Sequence, residues 1–118
     1  MFNFEKLEVW QKAIQFAELV YQTTKAFPSE ERFGLTNQIR RAAVSISSNI
    51  TEGSSRQSRT DFARYVEIAT GSLFECASQA FLSKQLGFLS EANFNALTAA
   101  AEEQSRMLSG LRLYLINQ

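Results

Sequence analysis

Five arginines crowd one stretch of this chain, Arg40, Arg41, Arg56, Arg59 and Arg64 between Asn37 and Val66. Guanidinium groups are well shaped to grip phosphate. Five positive charges against Glu52 and Asp61 leave that stretch at +3. Because twelve basic and twelve acidic side chains sum to zero, the remainder carries −3. Arg56 and Arg59 fall beside an expected helix N-terminus, where free N–H groups and the helix dipole also favour an anion. Arg40 and Arg41 lie some way earlier, roughly 18 Å off at 1.5 Å per helical residue. Arg40, Arg41, Arg56 and Arg59 are therefore candidates for nucleic-acid binding, arranged as two small sites and not a stripe. The plainer reading is solvated arginines with ion pairs between subunits. No RNA-binding motif or aromatic stacking platform accompanies them. A chain of zero net charge also gains no long-range pull on nucleic acid or anionic lipid.

Other chemistry is thin. Histidine is missing altogether, which removes the usual general base and the commonest metal ligand. Cys76 is the one cysteine, so no thiolate cluster can hold zinc and no internal disulfide can form. Its place on an apolar helical line suits a buried small hydrophobe. The acidic pairs Glu30–Glu31 and Glu102–Glu103 are adjacent in sequence and so do not face each other on a helix. No glycine-rich phosphate loop is present. The expectation is no enzyme, no metal and no cofactor.

One proline and five glycines leave little to interrupt long helices. Apolar spacing predicts helices over about 4–25, 35–52, 59–86 and 91–116 within a single domain of residues 1–118. The first presents Leu7, Trp10, Ile14, Ala17 and Tyr21 at helical intervals, and Pro28 stops it. Gly53 is expected to supply a left-handed C-terminal position to the second helix, and Gly87 to end the third. Ser58 with Asp61 resembles a capping box, and Ser90 caps the fourth helix. Helices of this length joined by short turns make an all-α, antiparallel up-down-up-down four-helix bundle. No apolar run is long enough to span a membrane. The acids Glu5 and Glu8 speak against a signal peptide, so a cytoplasmic location without membrane attachment is expected.

The second helix is short of charge. Ile39, Ala43, Ile46 and Ile50 fall on one line, an ordinary core stripe. Gln38, Ala42, Ser45, Asn49 and Glu52 fall on a second, small and polar. Such a helix is expected to be covered twice, by its own bundle and by a neighbouring copy. Ser45, Asn49, Glu52, Ser72 and Glu75 are candidates for a polar network tying the second helix to the third, with Asn49, Glu52 or Glu75 taking part. Gly71 inside the third helix costs about 1 kcal/mol against alanine, and close approach of another helix is the expected compensation.

Four blocks in order, LEVWQKA (Leu7–Ala13), FPSEERFGL (Phe27–Leu35), QIRRAAVSISSNITEG (Gln38–Gly53) and GSLFE (Gly71–Glu75), resemble the bacterial 23S ribosomal-RNA intervening-sequence proteins. The resemblance covers about Phe4 to Phe88. It implies a four-helix bundle akin to the accessory protein of diversity-generating retroelements, which binds a reverse transcriptase and nucleic acid. It also implies a homopentameric ring. Ser47 stands where the family often has proline and Thr51 where it often has alanine. The zero net charge departs further, since the retroelement accessory proteins are typically basic. The resulting expectation is a non-enzymatic homo-oligomeric scaffold, associated with RNA or DNA. The competing one is a protein–protein interaction module with an unidentified polypeptide partner and no nucleic-acid role. A small-molecule binder or enzyme using a pocket between helices is the third.

Overall fold

The structure is a computed structural model and describes residues 1–117. Its helices are α1 (Glu8–Thr24), α2 (Leu35–Ser54), α3 (Arg59–Gln85) and α4 (Glu91–Ile116), with no strand among the described residues. Each packs on its chain neighbour and α4 returns to α1, while the backbones of α1 and α3, and of α2 and α4, stay more than 8 Å apart (Cα to Cα) among the described residues, diagonally across one shared core. That is an up-down-up-down bundle, measuring 45 × 22 × 21 Å.

Helix α1 starts later than its spacing suggested. Asn3–Lys6 form a separate 3-10 turn, and Leu7 is extended (φ −79°, ψ 120°) before the helix begins. Phe4 packs edge-on against Trp10 at 4.9 Å, fixing the entry angle of the chain. The core stripe of α1 is Val9, Ala13, Phe16 and Val20. The expected stripe sits on its flank: Leu7, Trp10 and Ala17 are half-buried, and Ile14 and Tyr21 are exposed. Both sets have helical spacing, because the apolar arc of α1 is wider than the strip its neighbours cover.

The connection from α1 contains a 3-10 turn at Ser29–Glu31, and the Glu31 carboxylate accepts the Leu35 N–H at 3.1 Å. It thereby caps α2, whose N-cap is Gly34. Helix α2 runs past Gly53 with no left-handed turn; among the described residues the sole positive φ is that of Gly87 (+81°). Gly53 serves close packing. A Cβ there would lie 2.7 Å from Phe62 Cδ1 and 2.8 Å from Tyr65 Cβ. The end of α3 closes with paired bonds, Gly87 N–H to the Lys84 carbonyl (3.0 Å) and Phe88 N–H to the Ser83 carbonyl (2.9 Å). Phe88 then packs on Phe27. Ser58 and Ser90 accept the Asp61 and Asn93 N–H groups, capping α3 and α4.

Ile39, Ala43, Ile46 and Ile50 are wholly buried at the centre. The middle of the second line of α2 also turns inward, while Gln38 and Glu52 at its ends are exposed. Ala42 is buried and Ser45 and Asn49 are half-buried, with α3 of the same chain as their cover. A second copy is therefore not needed to explain that line. The face of α2 left open comprises Asn37, Arg41, Val44, Ser48 and Glu52, in which Arg41 and Glu52 are the charges.

Candidate functional site

Each of the chain's three tyrosines carries an arginine over its ring. Arg40 lies 4.5 Å from the centroid of Tyr21, donates from Nε to Thr24 Oγ1 (2.9 Å), and reaches the Tyr21 carbonyl. Arg59 lies 4.5 Å from the Tyr114 ring and donates to the carbonyls of Tyr114 (2.8 Å) and Leu115 (3.3 Å). Both cations sit at helix C-termini, those of α1 and α4, where unpaired carbonyls and the negative dipole end attract them. In an up-down bundle those two termini are at opposite ends. Arg56 packs on Tyr65 at 4.8 Å, donates to its hydroxyl, and pairs with Glu52 at 3.8 Å.

Three of the four candidate arginines thus have structural partners. Arg41 is exposed, with no hydrogen bond or ion pair among the described residues. The structure keeps Arg40 and Arg41 apart from Arg56 and Arg59, as two sites. Sequence spacing held no sign of the tyrosine partners. Tyr114 comes 55 residues after Arg59, a pairing that only the closed bundle creates.

The polar tie between α2 and α3 is small. Ser45 Oγ and Ser72 Oγ are 2.9 Å apart, and Asn49 Nδ2 donates to the Ser45 carbonyl (2.8 Å) and hydroxyl (3.0 Å). Asn49 so meets its donor needs on α2 itself and steadies the serine that crosses to α3. Glu52 is turned to Arg56, and Glu75 is exposed with no hydrogen-bond or ion-pair partner among the described residues. Gly71 differs from its expectation too. It is exposed, and a Cβ there would meet nothing within 4 Å.

Cys76 is buried, its thiol directed at the Ile39 carbonyl at 3.8 Å. Burial, and secondarily the neighbouring Glu75 charge, push the thiol up to about 12. It is a packing residue and a poor nucleophile. No cluster of three or more Cys, Asp or Glu side chains able to hold a metal occurs among the described residues, and none of their helices is long and apolar enough to cross a membrane. Gln104, buried between α4 and α1, donates to the Val9 carbonyl at 3.1 Å.

A family model described as 23S rRNA-intervening sequence protein matches residues 5–110. Among solved structures, the chain is similar to a protein with unknown function from the S23 ribosomal protein family of Bacteroides thetaiotaomicron. The match has a TM-score of 0.81 at 24% identity, over 88% of this chain and 97% of that one, and speaks to the fold alone. Comparison with curated proteins finds no match.

Proposed function

We propose a function on one premise: this chain belongs to the 23S rRNA-intervening sequence protein family. It works as a non-enzymatic scaffold built from several copies of itself, five in the arrangement that the resemblance implies. One observation carries the reading. Phe74 and Phe81 on α3 are 63% and 60% exposed, with Ile68 and Leu82 also open on the same helix. Large apolar side chains left open in this way are the kind of surface that marks an interaction site on a soluble protein. A chain without histidine, with its one cysteine buried, has little with which to catalyse anything.

Nucleic acid enters as a ligand of the assembled scaffold. Arg41 supports this, being exposed and without an ion pair among the described residues, together with the outer edges of Arg56 and Arg59. One copy offers too few cations for firm binding. Repetition around an assembly raises the effective concentration of each weak site. Retention of RNA or DNA then weakens steeply with salt as neutralised phosphates release counterions. The test pairs two measurements on the full chain, solution mass by light scattering and nucleic-acid retention at low and moderate salt. Assembly with salt-sensitive retention supports the whole reading. Assembly without retention at low salt leaves the protein-interaction module, with nucleic acid irrelevant. A monomer removes the scaffold.

A further inference from the structure

Between α1 and α4 lies a groove of about 170 Å³ whose wall combines apolar Phe16, Leu19 and Ala100 with polar Lys12, Glu103 and Gln104. Gln104 is 1% exposed. Its amide orientation is fixed, because the Val9 carbonyl only accepts and so must face Nε2, at 3.1 Å. The other arm, Oε1, is buried and has no hydrogen-bond partner among the described residues. A buried acceptor without a donor weakens a fold. One placed in the wall of a cavity calls for a donor from outside the chain.

The groove carries one charge of each sign. Lys12 Nζ and Glu103 Oε1 stand 3.5 Å apart, one on each helix, with side chains 38% and 50% exposed. Such a pair holds its helices together only weakly and opens readily. Neither has another ion-pair partner among the described residues. Glu8, Glu18, Glu102 and Arg106, the other charges within a turn of a wall residue, do not line the groove.

We propose that this groove binds a free α-amino acid with a short branched alkyl side chain. The ammonium group of the ligand donates to two acceptors, the Glu103 carboxylate and Gln104 Oε1. Its carboxylate takes the Lys12 ammonium, and its alkyl chain covers Phe16, Leu19 and Ala100. Every polar group of the pair and the orphan acceptor then has a partner of the complementary kind. A simple amine would set a second cation beside Lys12, and a simple acid a second anion beside Glu103, so a zwitterion fits where neither does. Size agrees: an apolar cavity of about 150 Å³ holds a benzene-sized molecule, close to the room available here. None of these residues belongs to the exposed surface of α3 on which the scaffold reading rests, so either reading can fail without the other.

The experiment is calorimetric titration of the full-length protein with L-leucine. Two analogues run beside it: L-leucinamide, which lacks the carboxylate, and N-acetyl-L-leucine, whose nitrogen carries no charge. Saturable binding of L-leucine is expected, with both analogues weaker by about tenfold or more, the loss that goes with a missing charge-assisted hydrogen bond. Lys12→Ala and Glu103→Ala, on an exposed pair, should leave the thermal melt of the free protein in place and lose L-leucine affinity by a similar factor. Gln104→Leu removes the unmet acceptor and is expected to lose the binding too. Should that variant fail to fold, the Lys12 and Glu103 variants decide the matter.

No saturable binding of L-leucine at millimolar concentration would overturn the proposal, with Gln104 Oε1 then met by trapped water alone. Equal affinity for all three compounds would overturn it as well, since that is the behaviour of an apolar groove blind to charge. So would an affinity for L-leucine that the Lys12 and Glu103 variants leave unchanged.

Discussion

Arg59 carries out two tasks that pull in different directions. Its guanidinium fills the C-terminal carbonyls of α4 and stacks on Tyr114, and its position at the first residue of α3 leaves it close to solvent. A cation at a helix C-terminus contributes about 0.3–1 kcal/mol, and an exposed cation–π contact about 0.5–1 kcal/mol more. Arg59→Ala should therefore lower stability to unfolding by about 1 kcal/mol, read as a shift in the urea midpoint. Arg41→Ala should leave the midpoint unmoved, because Arg41 makes no hydrogen bond or ion pair among the described residues. If nucleic acid is held through Arg41, that same variant weakens retention while stability stays constant. Equal destabilisation by the two variants would contradict the assignment of Arg59 as structural.

Cys76 supplies a pH-dependent test at the same scale. Its thiol is raised from its ordinary value of 9.0 to about 12 in the folded protein. Above pH 9 the unfolded chain loses this proton while the folded chain keeps it, so the unfolded state binds fewer protons and stability falls as pH rises. The contribution is intact below pH 9 and is lost between 9 and 12. Cys76→Ala should flatten that part of the stability–pH profile. Alkylation of the native protein at pH 8 should be far slower than of the urea-unfolded chain; comparable rates would mean the thiol is not buried.

At the scale of the element, Gly53 takes the close-packing role that sequence suggested for Gly71, and Gly71 takes neither role. Gly53 is pressed between Phe62 and Tyr65, so Gly53→Ala must push an aromatic ring or the α2–α3 crossing aside. Overpacking of this kind costs about 1–3 kcal/mol, more than the helix propensity that alanine returns. Gly71→Ala meets nothing in its own chain and should stabilise a single bundle by up to about 1 kcal/mol. Thermal melts of the two variants should move in opposite directions; a shared direction would contradict this account.

The helices were legible because their spacing, caps and breaks agree. Ser58, Ser90, Gly87 and Pro28 mark boundaries chemically. What stayed hidden depends on partners. Which flank of α1 is covered is decided by α2 and α4, and the rotation of α2 that points Ser45 at Ser72 is decided by α3. The arginine–tyrosine pairs join residues that meet only after the bundle has closed.

At the scale of the whole molecule, the neutral chain divides its apolar and charged residues unevenly. The wholly buried isoleucines of α2 form the centre, and Ile46→Ala should cost about 2–5 kcal/mol by leaving a cavity. Of the outward aromatics of α3, Phe81 packs edge-on against the core ring of Phe94 at 4.8 Å, whereas Phe74 has no such ring partner among the described residues, so Phe74→Ala should spare the fold and alter only what the fold assembles into.

The most direct measurement is the mass of the wild-type protein in solution, by light scattering across a range of micromolar concentrations. A single species several times the 13.3 kDa chain mass, at five copies, is the predicted result. A species of one chain mass throughout that range would contradict the scaffold.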